Sequence, residues 1–275
     1  MKKYLLTKII YIVFMLCVLM SYKAYAIDIT VGATTWYAWG NRYEDVQESS
    51  IRKNNNYAFD PSFLYGPVFS VKLNDDFNLT FVYLYSKFNY TFDYYKDEGG
   101  TLFIESKIKR SDSDLAVNYK LNAYLKLFLG AKYLAYDIKL AYVDYEGDYW
   151  NSHSNHTGIG PGLGLNATFP ITDNIFLLGT LSGFYLFSTG EKFEDKKIYD
   201  DIIIPVKMTV GYNEYGFNSN ISIAYYIAPA STVISIGARF QYFITDYYDY
   251  EPFLINKITN MFYGITLTAT YTFSI

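Results

Sequence analysis

The C-terminal segment alternates strictly between two kinds of residue. From residue 261 to residue 273, the odd positions are apolar, and the even positions between them are mostly glycine or threonine. A period of two places successive side chains on opposite faces of a β-strand. This segment therefore predicts one strand that has a large apolar face and a small polar face.

The same alternation recurs along the chain. It predicts ten strands, near 29–41, 57–73, 77–94, 101–121, 124–141, 157–171, 175–189, 202–227, 231–245 and 258–274. Glycine or polar residues occupy the second face of these strands, which suits the lumen of a barrel whose apolar face meets lipid. We therefore expect an all-β fold, a transmembrane antiparallel up-and-down β-barrel of about ten strands, with eight or twelve strands as alternatives.

The predicted connections alternate between short and long. Short turns are expected at 74–76, 121–124, 172–174 and 228–231, and long polar loops near 42–57, 95–113, 142–156, 190–201 and 246–257. Short periplasmic turns and long external loops are typical of outer-membrane barrels. Both termini are then periplasmic.

One predicted strand changes its pattern midway. Val210 and Tyr212 belong to an apolar set at even positions, whereas Ile221 and Ile223 belong to a set at odd positions. The change at 213–216 indicates either a bulge or a turn. Because single-chain bacterial barrels have even strand numbers, we expect a bulge within one long strand.

The N-terminus has the three parts of a secretory signal peptide. Basic residues are followed by an apolar run from Ile9 to Met20 and then by Ala24-Tyr25-Ala26, so residues 1–26 are predicted to be cleaved. The apolar run is shorter than the roughly 20 residues of a membrane-spanning helix. The single cysteine, Cys17, leaves with the signal peptide, so the mature chain can form no disulfide.

Composition supports a barrel and excludes one class of partner. Aromatic residues make up 20% of the chain, with 32 Tyr and 21 Phe, although the mean hydropathy is only +0.01. Aromatic girdles at both membrane interfaces account for such a content. The formal net charge is −4 and becomes more negative after loss of the four lysines before residue 27, so we expect no nucleic-acid partner.

The closing strand also carries a resemblance. Together with the signal peptide, Tyr263, Ile265, Leu267, Ala269, Tyr271 and Phe273 resemble the assembly signal of small monomeric outer-membrane β-barrel proteins of Gram-negative bacteria. The resemblance implies a monomer in the outer membrane, inserted by the barrel assembly machinery and surrounded by lipid and lipopolysaccharide. The family usually ends on the aromatic residue, whereas Ser274 and Ile275 follow it here.

The lumen is expected to be basic. Strand parity points six cations inward, namely Lys72, Lys120, Lys126, Lys132, Lys207 and Arg239, and strand-borne acids on that face are few. A ring of unpaired cations favours anions, so a narrow porin-like channel with small anions as its cargo is one alternative function. In the other reading, tyrosine hydroxyls, carboxylates and water satisfy these cations, because barrels of this size tend to be filled by side chains.

No catalytic, metal or cofactor site is predicted. The chain has two histidines, His153 and His156, and neither stands at the spacing from aspartate or serine that barrel hydrolases use. A hydrolase at the rim is therefore a remote alternative. The main expectation is a non-enzymatic protein with a structural or surface-recognition role through its external loops, whose tyrosines could contact a surface ligand.

Overall fold

Ten long strands make up the computed structural model, which describes residues 27–48, 51–95, 101–143, 149–198, 202–247 and 255–275. The strands are β1 Asp28–Glu48, β2 Ile51–Lys72, β3 Phe77–Tyr95, β4 Thr101–Lys120, β5 Leu125–Val143, β6 Tyr149–Pro170, β7 Ile175–Ile198, β8 Ile202–Ile227, β9 Thr232–Tyr247 and β10 Ile255–Ser274. One 3-10 turn, Ala228–Ala230, connects β8 to β9. Within these residues, no helix is long and apolar enough to cross a membrane. The predicted signal peptide, 1–26, lies outside the described residues.

The strands close into a barrel. Each strand pairs antiparallel with its sequence neighbours, and β1 pairs with β10 from Asp28–Ser274 to Val46–Ile255. Ile27 and Ile275 meet at this seam, where the Ile27 amide donates to the Ile275 carbonyl at 2.9 Å. The predicted fold class, a ten-stranded antiparallel up-and-down barrel, is confirmed.

The connections on the side of the termini are short, as predicted. Asn74 and Asn122 each close a turn, because each side-chain oxygen accepts hydrogen bonds from two backbone amides at 2.8–2.9 Å. Asparagine favours such turns because its side chain bonds the backbone locally. These residues therefore determine where β2 and β4 end.

The predicted bulge in the eighth strand is wrong. β8 pairs with β7 and with β9 in an unbroken register through residues 213–216. Val210 and Tyr212 point inward and are buried, whereas Ile221 and Ile223 point outward and are more than half exposed. The apolar face therefore changes side along a regular strand, because one half of the strand packs on a core and the other half has its outward face exposed.

The long loops expected from the sequence are mostly strand. β1 continues to Glu48, β6 begins at Tyr149 and β7 continues to Ile198, whereas β4 begins at Thr101, as the predicted strand 101–121 does. The connections at 49–50, 96–100, 144–148, 199–201 and 248–254 lie outside the described residues. Polar outward residues made these strand ends look like loops, although the alternation of faces persists through them.

About half of each long strand has exposed apolar side chains on its outward face, as contact with lipid requires. On β6 the exposed outward side chains from Ile159 to Phe169 are apolar, and Thr157, Asn155 and His153 precede them. A tilted strand needs about 9–11 residues to cross a membrane, and β6 has 22. We call the lipid-facing half the apolar band, which includes Phe69, Leu129, Leu163, Leu165, Ile223 and Leu267. The other half, including 105–113, 135–141, 151–157, 189–193 and 207–213, is the rim.

Two glycines on β6 provide a matched test of the barrel packing. A Cβ on Gly160 would overlap the carbonyl oxygen of Tyr185, whereas a Cβ on Gly162 would lie 3.7 Å from its nearest neighbour, Gly183 O. We expect Gly160→Ala to destabilise the barrel by about 1–3 kcal/mol, the usual cost of overpacking. Gly162→Ala, on the same strand and face, should be neutral or slightly stabilising. Urea titrations of the refolded variants measure both, and equal stability of the two would contradict this packing.

Candidate functional site

Aromatic rings cross the middle of the lumen. Phe184 on β7 lies 6.2 Å from Phe243 on β9, which stacks at 6.2 Å on Phe262 of β10, and Phe262 lies 5.7 Å from Phe88 on β3. These centroid separations are in the favourable range for aromatic pairs. Each of these rings is at most 7% exposed. A continuous chain of rings thus extends from one wall of the barrel towards the opposite wall.

A cluster of charges packs against these rings. The Asp112 carboxylate accepts hydrogen bonds from Arg110 at 3.0 Å and from the Lys132 ammonium, and Arg239 lies 3.9 Å from it. Lys132 also donates to Asp114 at 3.1 Å. Arg110, Asp112 and Lys132 are at most 2% exposed. Burying a charge is costly unless it is paired and hydrogen-bonded, and Asp112 and Lys132 meet that condition, whereas Nε and Nη1 of Arg110 have no hydrogen-bond partner.

One contact crosses the full diameter of the barrel. Arg110 on β4 donates to the side-chain oxygen of Gln241 on β9, and the Gln241 amide donates to Asp112 at 3.4 Å. β4 and β9 are five strands apart in either direction around the ten-stranded barrel, so they lie opposite one another. We call these side chains the cross-lumen layer: Trp36, Leu64, Leu84, Phe88, Arg110, Asp112, Lys132, Leu134, Phe184, Leu186, Gln241, Phe243 and Phe262.

Cation–π contacts join the charges to the rings. The Arg110 guanidinium lies 4.3 Å from the Phe262 centroid, and the Arg239 guanidinium lies 4.6 Å from the Trp36 ring. Both distances fall within the roughly 6 Å over which such pairs attract. The cations are therefore held from two sides, by Asp112 and by aromatic faces.

Glycines permit close approach inside the barrel. A Cβ added to Gly40 would lie 2.6 Å from the Phe59 ring and 2.7 Å from the Phe262 ring. One added to Gly216 would lie 2.0 Å from the carbonyl oxygen of Tyr242 on the neighbouring strand. Real Cβ atoms do not approach other atoms so closely, so Gly40 makes room for two inward rings and Gly216 for the adjacent backbone.

Two spaces flank the cross-lumen layer. On the side of the short turns, a cavity of about 340 Å³ is lined by hydroxyl and amide side chains, including Thr80, Asn118, Asn166, Thr180 and Asn220. Towards the rim, a smaller space of about 50 Å³ contains Glu214 and His156. Ser188 donates to Glu214 at 2.8 Å, and His156 Nδ1 lies 3.0 Å from the Tyr212 hydroxyl.

The six predicted lumen cations separate into three groups. Lys132 and Arg239 belong to the buried charge cluster. Lys72, Lys120 and Lys126 lie exposed at the short-turn end of the barrel. Lys72 is 2.9 Å from Asp75 and holds the pKa of that turn carboxyl below its ordinary value. Lys207 does not face the lumen, because β8 continues without a bulge; it lies on the outer wall, 3.2 Å from Glu191.

The buried partners of these cations were missed in the sequence. Arg110 and Asp112 lie where the predicted strand 101–121 and the predicted loop 95–113 overlap, so the sequence does not assign their side chains to a face. Asp112 and Asp114 share the inward face of β4, and Asp114 pairs directly with Lys132 of β5. The alternation of the predicted strand 101–121 already places Asp114 inward, and carried back to residue 105 it places Asp112 there as well. Strand parity also points Gln241 inward, but no local signal indicates that it meets Asp112 on the opposite wall.

The residues of the predicted assembly signal line one outward face of β10. Tyr263, Ile265, Leu267 and Tyr271 are 41–52% exposed, and Ala269 and Phe273 share their parity. This face belongs to the apolar band beside the β1–β10 seam. Recognition by the assembly machinery stays a prediction.

The two histidines are apart and face opposite sides. His153 points outward at the rim, 3.1 Å from Asp137, and its cross-strand neighbours, Lys139 and Phe193, carry neither a hydroxyl nor a thiol. His156 points inward and contacts Tyr212. Within the described ranges, no group of three or more His, Cys, Asp or Glu side chains could hold a metal ion.

The buried charge cluster makes a sharp prediction about stability. Asp112→Asn leaves Arg110, Lys132 and Arg239 around a neutral amide, so we expect a loss of about 3–5 kcal/mol in the free energy of unfolding. The control, Asp137→Asn, breaks an exposed pair and should cost less than about 1 kcal/mol. Urea unfolding of the refolded proteins in detergent measures both values. Equal losses would mean that Asp112 does not organise the lumen.

Comparison with known proteins supports the fold. No protein-family model and no curated protein sequence matches the chain. Among solved structures, the outer membrane protease OmpT from Escherichia coli is similar at a TM-score of 0.51 and 13% identity, over 90% of this chain and 97% of that chain. The translocator domain of autotransporter NalP from Neisseria meningitidis has a TM-score of 0.49 and 8% identity, over 92% of this chain and 90% of that chain. At such identities the likeness concerns architecture alone: the chain has the closed antiparallel fold of an outer-membrane β-barrel.

Proposed function

We propose that this outer-membrane barrel is non-enzymatic, does not conduct, and has a structural or surface-recognition role that it performs with its rim. The observation that carries the proposal is the cross-lumen layer. Side chains from opposite walls, β4 and β9, are in direct contact at its centre. A barrel whose lumen is filled in this way can serve as a rigid scaffold for the residues of its rim.

Two properties of the cross-lumen layer argue against passive conduction of ions. An ion would have to displace Arg110, Asp112 and Gln241, which are at most 2% exposed, and leaving buried charges without partners is costly. The anion preference expected from a basic lumen also weakens, since Lys132 has two carboxylate partners, Asp112 and Asp114. Ion pores require sites that bind weakly enough to release their ion.

The rim supports a role at the surface. Its outward side chains are polar, and they stand on strands that continue past the apolar band, as Lys139, Asn151 and His153 do. Residues held in a hydrogen-bonded sheet lose little entropy when a partner binds, which favours recognition by a preorganised surface. The exposed ring of Phe193 adds an apolar contact to this polar surface. The rim thus replaces the long external loops as the presenting element.

Catalysis has little support in the arrangement of the histidines. OmpT is a protease, but its likeness to this chain is one of fold. His153 pairs with Asp137 on the outer wall, and His156 lines a space of only about 50 Å³ inside the barrel. A general base must come within hydrogen-bond reach of the group it activates, and neither histidine has a serine, threonine or cysteine hydrogen-bonded to it among the described contacts.

Planar-bilayer recordings test the absence of conduction. Refolded wild-type protein, shown to be folded by its heat-dependent gel mobility, should give no steady current steps in a salt gradient. The double variant Phe243→Ala/Phe262→Ala removes two rings of the cross-lumen layer and should produce discrete steps. Phe187→Ala, which shortens an outward ring that is 64% exposed, is the matched control and should stay silent. Steady steps from the wild type would overturn the proposal.

Hydrolysis assays test the absence of catalysis. We expect the refolded protein, with and without lipopolysaccharide, to cleave fluorogenic peptides and ester-linked lipids no faster than the double variant His153→Ala/His156→Ala. Because these are the only histidines in the chain, this variant removes every imidazole base. A wild-type rate well above that of the variant would show that the barrel is an enzyme.

A further inference from the structure

A group of lysines lies together on the outer wall, where the rim begins. Lys87 of β3 is directly opposite Lys109 of β4, and Lys107 of β4 is directly opposite Lys139 of β5. All four side chains are exposed. We call them the basic patch, and it stands on a chain whose formal net charge is −4.

The patch is electrostatically unfavourable without an anionic partner. Like charges directly opposite one another on neighbouring strands repel. Two carboxylates offset part of the charge, since Glu105 lies 3.0 Å from Lys107 and Asp137 lies 3.2 Å from Lys109. Among the described residues, neither Lys87 nor Lys139 forms an ion pair. Two adjacent like-charged pairs are therefore only half neutralised by the protein.

The level of the patch relative to the apolar band identifies what it faces. Lys87 is the next outward residue after Tyr85, whose ring packs at 6.4 Å on Tyr65 of the apolar band. Outward tyrosines mark the interface between hydrocarbon and headgroups. The patch lies on the side opposite the short turns, which is the external side in outer-membrane barrels. Its ammonium groups thus stand at the level of the headgroups of the outer leaflet.

We propose that the basic patch binds the phosphate groups of an anionic glycolipid in the outer leaflet. Lysine ammonium groups bind phosphate strongly through charge-assisted hydrogen bonds. The four ammonium groups form two cross-strand pairs, Lys87 with Lys109 and Lys107 with Lys139, and two such pairs can contact the two phosphates of one glycolipid. The proposal depends only on residues on the outward face of β3–β5, so it holds whether or not the lumen conducts ions.

A depression next to the patch fits the rest of such a lipid. It has a volume of about 400 Å³, its polar lining includes Glu105, Lys107, Lys139, Asn151 and His153, and Phe193 lies at one side. It extends from the patch towards the rim, the direction in which the sugars of a glycolipid leave the membrane. Amide and imidazole groups can hydrogen-bond sugar hydroxyls. One glycolipid molecule could therefore bind both features, with its phosphates on the basic patch and its sugars in the depression.

Other outer-wall lysines provide a matched control. Lys207 lies 3.2 Å from Glu191, and Lys257 lies 3.9 Å from Asp246. Each is exposed, has its own acid, and stands on a different part of the wall from β3–β5. The double variant Lys207→Gln/Lys257→Gln removes the same charge as Lys87→Gln/Lys139→Gln without touching the patch.

Lipid binding to the refolded mature protein tests the proposal. Native mass spectrometry in detergent would measure retention of a bisphosphorylated lipid A, the same lipid after removal of both phosphates, and phosphatidylethanolamine. We expect selective retention of the bisphosphorylated lipid and a loss of about tenfold or more in its affinity for Lys87→Gln/Lys139→Gln. The control pair should bind within about twofold of the wild type. Heat-dependent gel mobility verifies that each variant is folded.

Three results would overturn the proposal. Equal retention of the dephosphorylated lipid would show that phosphate is not what is recognised. Equal losses in both double variants would attribute binding to overall charge. Displacement of the lipid by an equal concentration of inorganic phosphate would assign the patch to a free anion, with no glycolipid selectivity. Retention that is insensitive to inorganic phosphate and lost only in the patch variant would support a lipid site.

Discussion

The contact between Arg110, Asp112 and Gln241 across the lumen is the constraint on which the interior depends. A carboxylate buried to this extent is tolerable only with cations and donors around it, and Asp112 has Arg110, Lys132 and Arg239 within 4 Å. The partners come from β4, β5 and β9, so they can meet only across a barrel that is narrow and fully closed. Closure of the β1–β10 seam and satisfaction of these charges are therefore coupled.

The apolar half of the interior follows from the same geometry. Phe262 can stack on Phe243 across the lumen because Gly40 stands opposite it, where a Cβ would collide with the Phe262 ring. The cations then rest on the ring faces, as Arg110 does on Phe262. Rings, glycines and charges form one packed unit, which distinguishes this interior from the hydrated lumen of a wide pore.

The outside of the barrel obeys a different rule, and it changes along each strand. Beside lipid the outward face is apolar and the inward face small or polar, as at Ile223 and Ser222 on β8. Beyond the apolar band the inward face becomes apolar, as at Val210, and the outward face becomes polar, as at Lys207. Each long strand therefore passes from a segment beside lipid to a segment beside water. The basic patch lies at the boundary between these two segments on β3–β5.

The sequence by itself determined the fold class and the short turns, and it favoured ten strands over eight or twelve, because a period of two and local Asn turns such as Asn74 act over neighbouring residues. It did not reveal that β8 is regular or that 42–48, 149–156 and 190–198 are strand. Along these segments the outward face becomes polar, and a local change of polarity resembles a bulge or a loop. The partners of Lys132 and Arg239 depend on which strands face each other across the closed barrel. Asp112 and Gln241 are 129 residues apart, and only the tertiary structure brings them to 3.4 Å.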